Sequence, residues 1–195
     1  MLHRSGLQIV ASAAGVLLAQ AADAHSMGTQ GSAFASGLAH PFAGLDHVLA
    51  VVAIGVWAAQ NGGRALWAVP LSFVATMLLG AALGIAGIPL PSVEPAIAVS
   101  LMILGLLVTL SIRMRLVTGM AVAAGFALFH GHAHGAEIAA VSIAQYLLGM
   151  TVATVLLHAA GILFGSLPKA GFGAKVLRFG GAAIAATGAW MLVGP

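Results

Sequence analysis

Two short stretches of this sequence concentrate histidines and carboxylates beside long apolar runs. The first, HPFAGLDHVLAVVAIGVW, begins at His40 and contains Asp46 and His47. The second, FHGHAHGAE, contains three histidines and ends at Glu137. The chain has no cysteine, so disulfides, thiolate sites and cysteine nucleophiles are excluded, and any metal chemistry must use nitrogen and oxygen ligands. Imidazole together with carboxylate suits the borderline divalent ions Ni²⁺, Co²⁺ and Zn²⁺.

Three histidines within five residues favour a metal site in the second stretch. In a helix His130 and His134 share one face while His132 points elsewhere, and Gly131 and Gly135 permit a break that redirects them. The apolar run that precedes His130 is shorter than the roughly 30 Å of hydrocarbon in a bilayer. We therefore expect the stretch to begin inside the membrane.

The first stretch predicts a helix that begins at Pro41. His40 then lies at its cap, and His47 lies two turns deeper on nearly the same face. Asp46 and His47 fall within the membrane, where ionisable side chains usually face a bundle interior or a water-filled path. The alternative is a structural Asp–His pair that holds two helices together.

Four other residues are weaker candidate ligands. Glu94 begins a predicted span and suits either a helix cap or a ligand. His25 becomes a chelating N-terminus only if a leader is cleaved before it. His132 is a weaker candidate ligand than His130 and His134. His158 lies deep in a later span, where it is an exit station for an ion or, as we favour, a hydrogen-bond partner of Gln145, Thr151 or Thr154.

The composition predicts that these residues are held by membrane helices. The chain has 195 residues, of which 61% are hydrophobic and 6% charged, a composition typical of integral membrane proteins. Residues 1–24 predict a signal peptide with a small-residue cleavage pattern ending at Ala24, and an uncleaved first helix is the alternative. Residues 25–195 predict one all-α domain of six transmembrane helices, at about 41–60, 65–87, 95–112, 116–131, 139–166 and 174–193.

The distribution of charge predicts how these helices are oriented. With the mature N-terminus and the C-terminus in the periplasm, all seven lysines and arginines fall on the cytoplasmic side. The carboxylates and most histidines then fall at the outer ends of the spans. The net charge of +3 therefore follows from topology and does not indicate nucleic acid.

Both motifs resemble those of the HupE/UreJ family of hydrogenase and urease accessory membrane proteins. The resemblance covers essentially the whole mature chain, and the matching positions are His40, Asp46, His47, His130, His134 and Glu137. It implies a permease of the bacterial inner membrane that supplies nickel, or in some members cobalt, for metalloenzyme maturation. The resemblance does not indicate which of Ni²⁺, Co²⁺ and Zn²⁺ this chain prefers.

We therefore expect a secondary-type metal permease that is not an enzyme and has no resident cofactor. Two alternatives remain, a sensor or chaperone that binds metal without moving it, and a membrane metalloenzyme that retains it. The chain has no HExxH sequence, no nucleophile motif and no nucleotide-binding loop. The expected partners are lipid and the ion, and the sequence leaves open a homo-oligomer and a periplasmic or outer-membrane protein that supplies the metal.

Overall fold

The computed structural model of the protein describes residues 33–138, 142–167 and 170–194. These three ranges form helices joined by short connections, and no strand occurs within them. The predicted signal peptide at 1–24 and His25 lie outside the described residues. The helices are α1 (Ala33–Ala39), α2 (Leu45–Asn61), α3 (Ala65–Ile85), α4 (Val93–Leu110), α5 (Leu116–Ala136), α6 (Ile143–Gly165) and α7 (Gly171–Val193), with a 3₁₀ turn at His40–Phe42.

Five of these helices, α3 to α7, are long and apolar enough to cross a membrane. The segment that runs from α1 through the 3₁₀ turn to α2 is bent by 80° and counts as a sixth span only if the bent pair is taken as one. So many apolar helices in one chain indicate a multi-pass membrane protein, as the composition predicts.

The first predicted span is not one continuous helix from Pro41. Pro41 lies in the 3₁₀ turn, and α2 begins only at Leu45. Gly44 before it has an extended backbone, with φ −103° and ψ 114°, which interrupts helical hydrogen bonding. His40 and His47 therefore lie on opposite sides of a sharp bend instead of on one helical face.

Glycines allow α3 and α5 to run side by side with their backbones in close approach. A Cβ added to Gly131 would overlap the carbonyl oxygen of Met77, and one added to Gly135 would overlap that of Ala81. Small residues four apart are the usual means by which membrane helices approach closely. The second histidine stretch consequently stays helical, and its glycines serve packing instead of the break that their flexibility permits.

Helix α6 holds both halves of the bent segment. A Cβ at Gly37 of α1 would overlap the Tyr146 carbonyl oxygen, and a Cβ at Gly55 of α2 would overlap that of His158. Because α1 and α2 are both fixed against α6, the turn between them has a defined position. That packing decides where the His40 side chain lies.

Positive side chains collect at one end of the bundle, which we call the basic end. There Trp57 Nε1 donates a hydrogen bond of 2.7 Å to the carbonyl oxygen of Ile112, and Gln60 Nε2 donates one of 3.0 Å to that of Val108. These bonds join α2 to the last turn of α4 and to the connection that follows it. The exposed basic residues at this end are Arg64, Arg113, Arg115, Lys175 and Arg178.

Candidate metal centre

The bend before α2 brings the two polar stretches together at the end of the bundle opposite to the basic end. His40 in the 3₁₀ turn, with His134 and Glu137 at the end of α5, each offer one ligand atom, and these atoms lie within 4.8 Å of one another. His40 Nε2 lies 3.5 Å from Glu137 Oε2. Two imidazole nitrogens and a carboxylate oxygen at this spacing can close on one divalent cation after small side-chain movements.

Two more imidazoles extend this group into the bundle. The ring centroids of His40 and His134 are 4.5 Å apart, those of His134 and His47 are 3.9 Å apart, and those of His47 and His130 are 4.7 Å apart. We call these four rings the histidine cluster. The Glu137 side chain at its mouth is 67% exposed, whereas His130 at its far end is 1% exposed. The cluster therefore leads from solvent into the protein interior.

Asp46 orients the His47 ring. Its Oδ1 atom lies 3.2 Å from His47 Nδ1. The other ring nitrogen, Nε2, is buried and has no hydrogen-bond partner in the described part of the chain. A carboxylate that holds one imidazole nitrogen while the other is left for a ligand is the usual arrangement behind metal-binding histidines. Asp46 thus lies behind His47 and outside the closest group of three.

Gly44 makes room for this pair beside the bend. A Cβ at Gly44 would lie 2.7 Å from Asp46 Oδ1 and 2.9 Å from His47 Nδ1, closer than real Cβ contacts. The absence of a side chain at Gly44 therefore lets both polar groups fold back over the start of α2.

Ser100 of α4 fixes the innermost ring of the cluster. Its hydroxyl donates a hydrogen bond of 2.7 Å to the carbonyl oxygen of Ile97 and lies 2.8 Å from His130 Nε2. A hydroxyl has one hydrogen, so His130 Nε2 must donate to Ser100 Oγ. His130 Nδ1 then carries a lone pair, and this buried atom has no partner among the described residues.

Two side chains at this site were missed in the sequence. The only sequence signal of Ser100 is a hydroxyl side chain within a predicted span, and such residues are common in membrane helices. Tyr146 contacts His40 edge to face, with ring centroids 5.4 Å apart. Its one signal is that it is the single tyrosine of the chain.

The structure does not bring Glu94 and His132 into the closest group. Glu94 is exposed in the first turn of α4 and, within the described ranges, forms no ion pair or hydrogen bond. His132 lies on another face of α5 from His130 and His134, as its spacing predicts. Its Nε2 atom is 2.8 Å from the carbonyl oxygen of Ile88, in the connection between α3 and α4.

His158 is buried in α6, away from the mouth of the cluster. The favoured interpretation, a hydrogen bond with Gln145, Thr151 or Thr154, is wrong, because neither ring nitrogen has a partner in the part of the chain that is described. The hydroxyls of Thr151 and Thr154 instead donate to the carbonyl oxygens of Leu147 and Met150 in their own helix.

Comparison with known proteins confirms the family resemblance. The model of the family described as HupE / UreJ protein matches residues 13–191. The curated Protein HupE of Rhizobium leguminosarum bv. viciae is 45% identical to this chain over 188 residues, which cover 96% of this chain and 98% of that protein. No solved structure matches the chain.

Proposed function

The chain belongs to the HupE/UreJ family of hydrogenase and urease accessory membrane proteins, and from that premise we propose that it is a secondary-type permease for a divalent transition-metal ion. Ni²⁺ is the favoured cargo and Co²⁺ the next, with Zn²⁺ as a competitor. The ion would supply the maturation of a metalloenzyme such as hydrogenase or urease.

The observation that carries this proposal is the convergence of His40, His134 and Glu137, with further imidazoles behind them. A structural metal site is usually closed by four fixed ligands. Here a largely exposed carboxylate stands at the mouth, while His47 Nε2 and His130 Nδ1 are buried without partners among the described residues. An ion captured at the mouth thus has free nitrogen ligands further in, which favours passage over retention.

The capture step follows from these positions. Glu137 attracts the hydrated cation and replaces part of its water shell, and His40 and His134 add nitrogen ligands. His47, held by Asp46, then offers Nε2. The Asp46 carboxylate supplies negative charge close to the ion without leaving His47, so the cation is less costly to hold inside the bundle.

We place the protein in the bacterial inner membrane as a single six-span domain, counting the bent segment as one span. The signal peptide at 1–24 is removed in this proposal, and the mature N-terminus and the C-terminus are periplasmic. The four exposed arginines and the exposed lysine of the basic end support this orientation, because such residues concentrate on the cytoplasmic side. The histidine cluster then faces the periplasm.

The membrane potential is the simplest driving force for this orientation. Moving one elementary charge across 100 mV is worth about 2.3 kcal/mol, so a divalent cation gains about 4.6 kcal/mol. This term favours entry from the periplasm and requires no nucleotide. The sequence contains no phosphate-binding loop that would bind a nucleotide.

The experiment that tests this function is uptake of radiolabelled Ni²⁺ into proteoliposomes with an interior-negative potential. His134→Ala removes a ligand of the closest group, and we expect its uptake rate to fall by at least about tenfold, the factor for a loss of about 1.4 kcal/mol. His132→Ala is the matched control, because it removes an imidazole two residues away that contacts Ile88 instead.

Uptake at the unmodified rate by His134→Ala would remove the metal centre from the transport path. If the unmodified protein binds Ni²⁺ but moves none, the chain is a sensor, chaperone or enzyme and not a permease. Competition by unlabelled Co²⁺ and Zn²⁺ in the same assay ranks the three ions.

A further inference from the structure

His158 is a polar side chain in the apolar centre of the bundle. It is 2% exposed, and neither Nδ1 nor Nε2 has a hydrogen-bond partner within the residues that the structure describes. A neutral imidazole has one donor and one acceptor, so both of its polar functions are unmet. Burial of unmet polar groups is costly, and ionisable residues kept inside membrane helices are usually functional.

The neighbours of His158 do not supply the missing bonds. One turn earlier in α6, the Thr154 hydroxyl donates to the Met150 carbonyl oxygen at 2.9 Å and lies 3.6 Å from Met77 Sδ. On the side of α2, the close approach of Gly55 fixes the His158 backbone. The ring is therefore held in place by packing while its nitrogens remain available.

Phe73 of α3 contacts both His158 and the innermost ring of the histidine cluster. Its ring centroid is 5.2 Å from that of His158 and 6.2 Å from that of His130. The phenyl ring offers a cation its π face but no coordinating atom. An ion that leaves His130 toward the basic end therefore needs a ligand other than this ring, and His158 is the imidazole that the ring also contacts.

The depth of His158 agrees with this order. It lies fifteen residues after Ile143 and seven before Gly165, which corresponds to about 22 Å and 10 Å of helix. The backbone of His158 is thus four residues past the midpoint of α6 at Thr154, about 6 Å toward the basic end. His130 lies six residues before the end of α5 at Ala136, about 9 Å from the mouth.

We propose that His158 is a second coordination station for the transported divalent metal ion, beside Phe73 and nearer the basic end than His130. The inference rests on the proposed permease function and adds to it the route that the ion takes after the histidine cluster. An imidazole kept for structure would be hydrogen-bonded, whereas one kept for an ion in transit must have a free nitrogen when the ion is absent.

The test compares His158→Leu and His158→Cys with the unmodified protein, and uses Leu157→Ala as a control for a cavity at the neighbouring buried position. For each purified variant we would measure Tm, equilibrium Ni²⁺ binding in detergent, and initial rates of Ni²⁺ and Cd²⁺ uptake into proteoliposomes. Leucine fills the space of the imidazole without a ligand, and cysteine supplies a softer ligand that favours Cd²⁺.

We expect His158→Leu to bind Ni²⁺ at the histidine cluster as the unmodified protein does, with a Tm that is not lower, and to lose at least about tenfold in uptake rate. His158→Cys should raise the ratio of Cd²⁺ to Ni²⁺ uptake, which a structural role of the residue would not change. Leu157→Ala should lower Tm without changing that ratio.

Uptake by His158→Leu at the rate of the unmodified protein would overturn the inference, and the proposed permease function would still stand. Loss of uptake together with a lowered Tm and weakened Ni²⁺ binding would also overturn it, because the imidazole would then be holding the helices together. Failure of the unmodified protein to take up any metal would overturn the proposed function, and this inference with it.

Discussion

Replacing Gly44 by alanine tests whether the geometry beside the bend sets metal affinity. The added Cβ would lie 2.7 Å from Asp46 Oδ1 and 2.9 Å from His47 Nδ1. To regain an ordinary contact of 3.4 Å, the two atoms must retreat by about 0.7 Å and about 0.5 Å. The backbone itself adds no strain, because φ −103° and ψ 114° are open to any L residue. The whole effect therefore falls on the Asp46–His47 pair.

Loss of a group that orients a metal-binding histidine typically weakens metal affinity by about 10–100-fold, or about 1.4–2.7 kcal/mol. We expect Gly44→Ala to fall in this range when Ni²⁺ binding to the purified protein is measured by titration calorimetry. Initial uptake rates at low Ni²⁺ concentration should fall in parallel.

Gly125→Ala is the matched control, because Gly125 is also in this membrane domain but a Cβ there meets nothing within 4 Å. Helix propensity predicts that this change stabilises α5 slightly, by up to about 1 kcal/mol, and leaves Ni²⁺ binding unaltered. If Gly44→Ala binds Ni²⁺ as tightly as Gly125→Ala does, the argument that Gly44 makes room for the pair is refuted.

Three further predictions concern the same cluster and its support. Ser100→Ala removes the acceptor that fixes the His130 tautomer and, if the bound ion reaches His130, should weaken Ni²⁺ binding by about tenfold in calorimetry; unchanged affinity would show that His130 is not a ligand of the bound ion. Ni²⁺ affinity should fall once the pH is low enough to protonate the ligand imidazoles, because a protonated imidazole has no lone pair for the ion; affinity that stays constant down to the pH at which the protein unfolds would exclude imidazole ligands. Gly131→Val should separate α3 from α5 at Met77 and lower Tm by more than Gly125→Ala changes it, and an unchanged Tm would show that the close approach is dispensable.

Much of the architecture is predictable from the sequence because span length and apolar composition are strong constraints in a membrane. Helices α3 to α7 begin and end within a few residues of the predicted runs, except that α5 continues to Ala136 through the second histidine stretch. That extension depends on close packing of Gly131 and Gly135 against α3. Glycine permits both a helix and a break, so the local sequence does not decide between them.

The bend before α2 is harder to predict, because Pro41 is equally compatible with the first turn of a helix. The position of the bend depends instead on α1, whose Gly37 packs against Tyr146 of α6, a helix far away in the sequence. This tertiary contact moves His40 off the α2 face and toward His134. The sequence therefore indicates the candidate ligands, whereas the pairing of α1 with α6 determines how they meet.

His158 shows a different limit of sequence reasoning. Thr154, one turn away, is the partner that residue spacing indicates, but its hydroxyl donates to a carbonyl oxygen of its own helix. Such local bonding is a common choice for serine and threonine in helices and cannot be read from residue spacing. The packing of α2, α3 and α6, and not residue spacing, leaves the two His158 nitrogens without hydrogen-bond partners among the described residues.

X-ray absorption at the nickel edge of the Ni²⁺-loaded protein tests the claim that the mouth of the histidine cluster binds a divalent ion through imidazole and carboxylate ligands. We predict a first shell of nitrogen and oxygen with the outer scattering of at least two imidazoles, reduced by one imidazole in His134→Ala and unchanged in His132→Ala. A shell of oxygen alone, or a spectrum that His134→Ala does not alter, would contradict the claim.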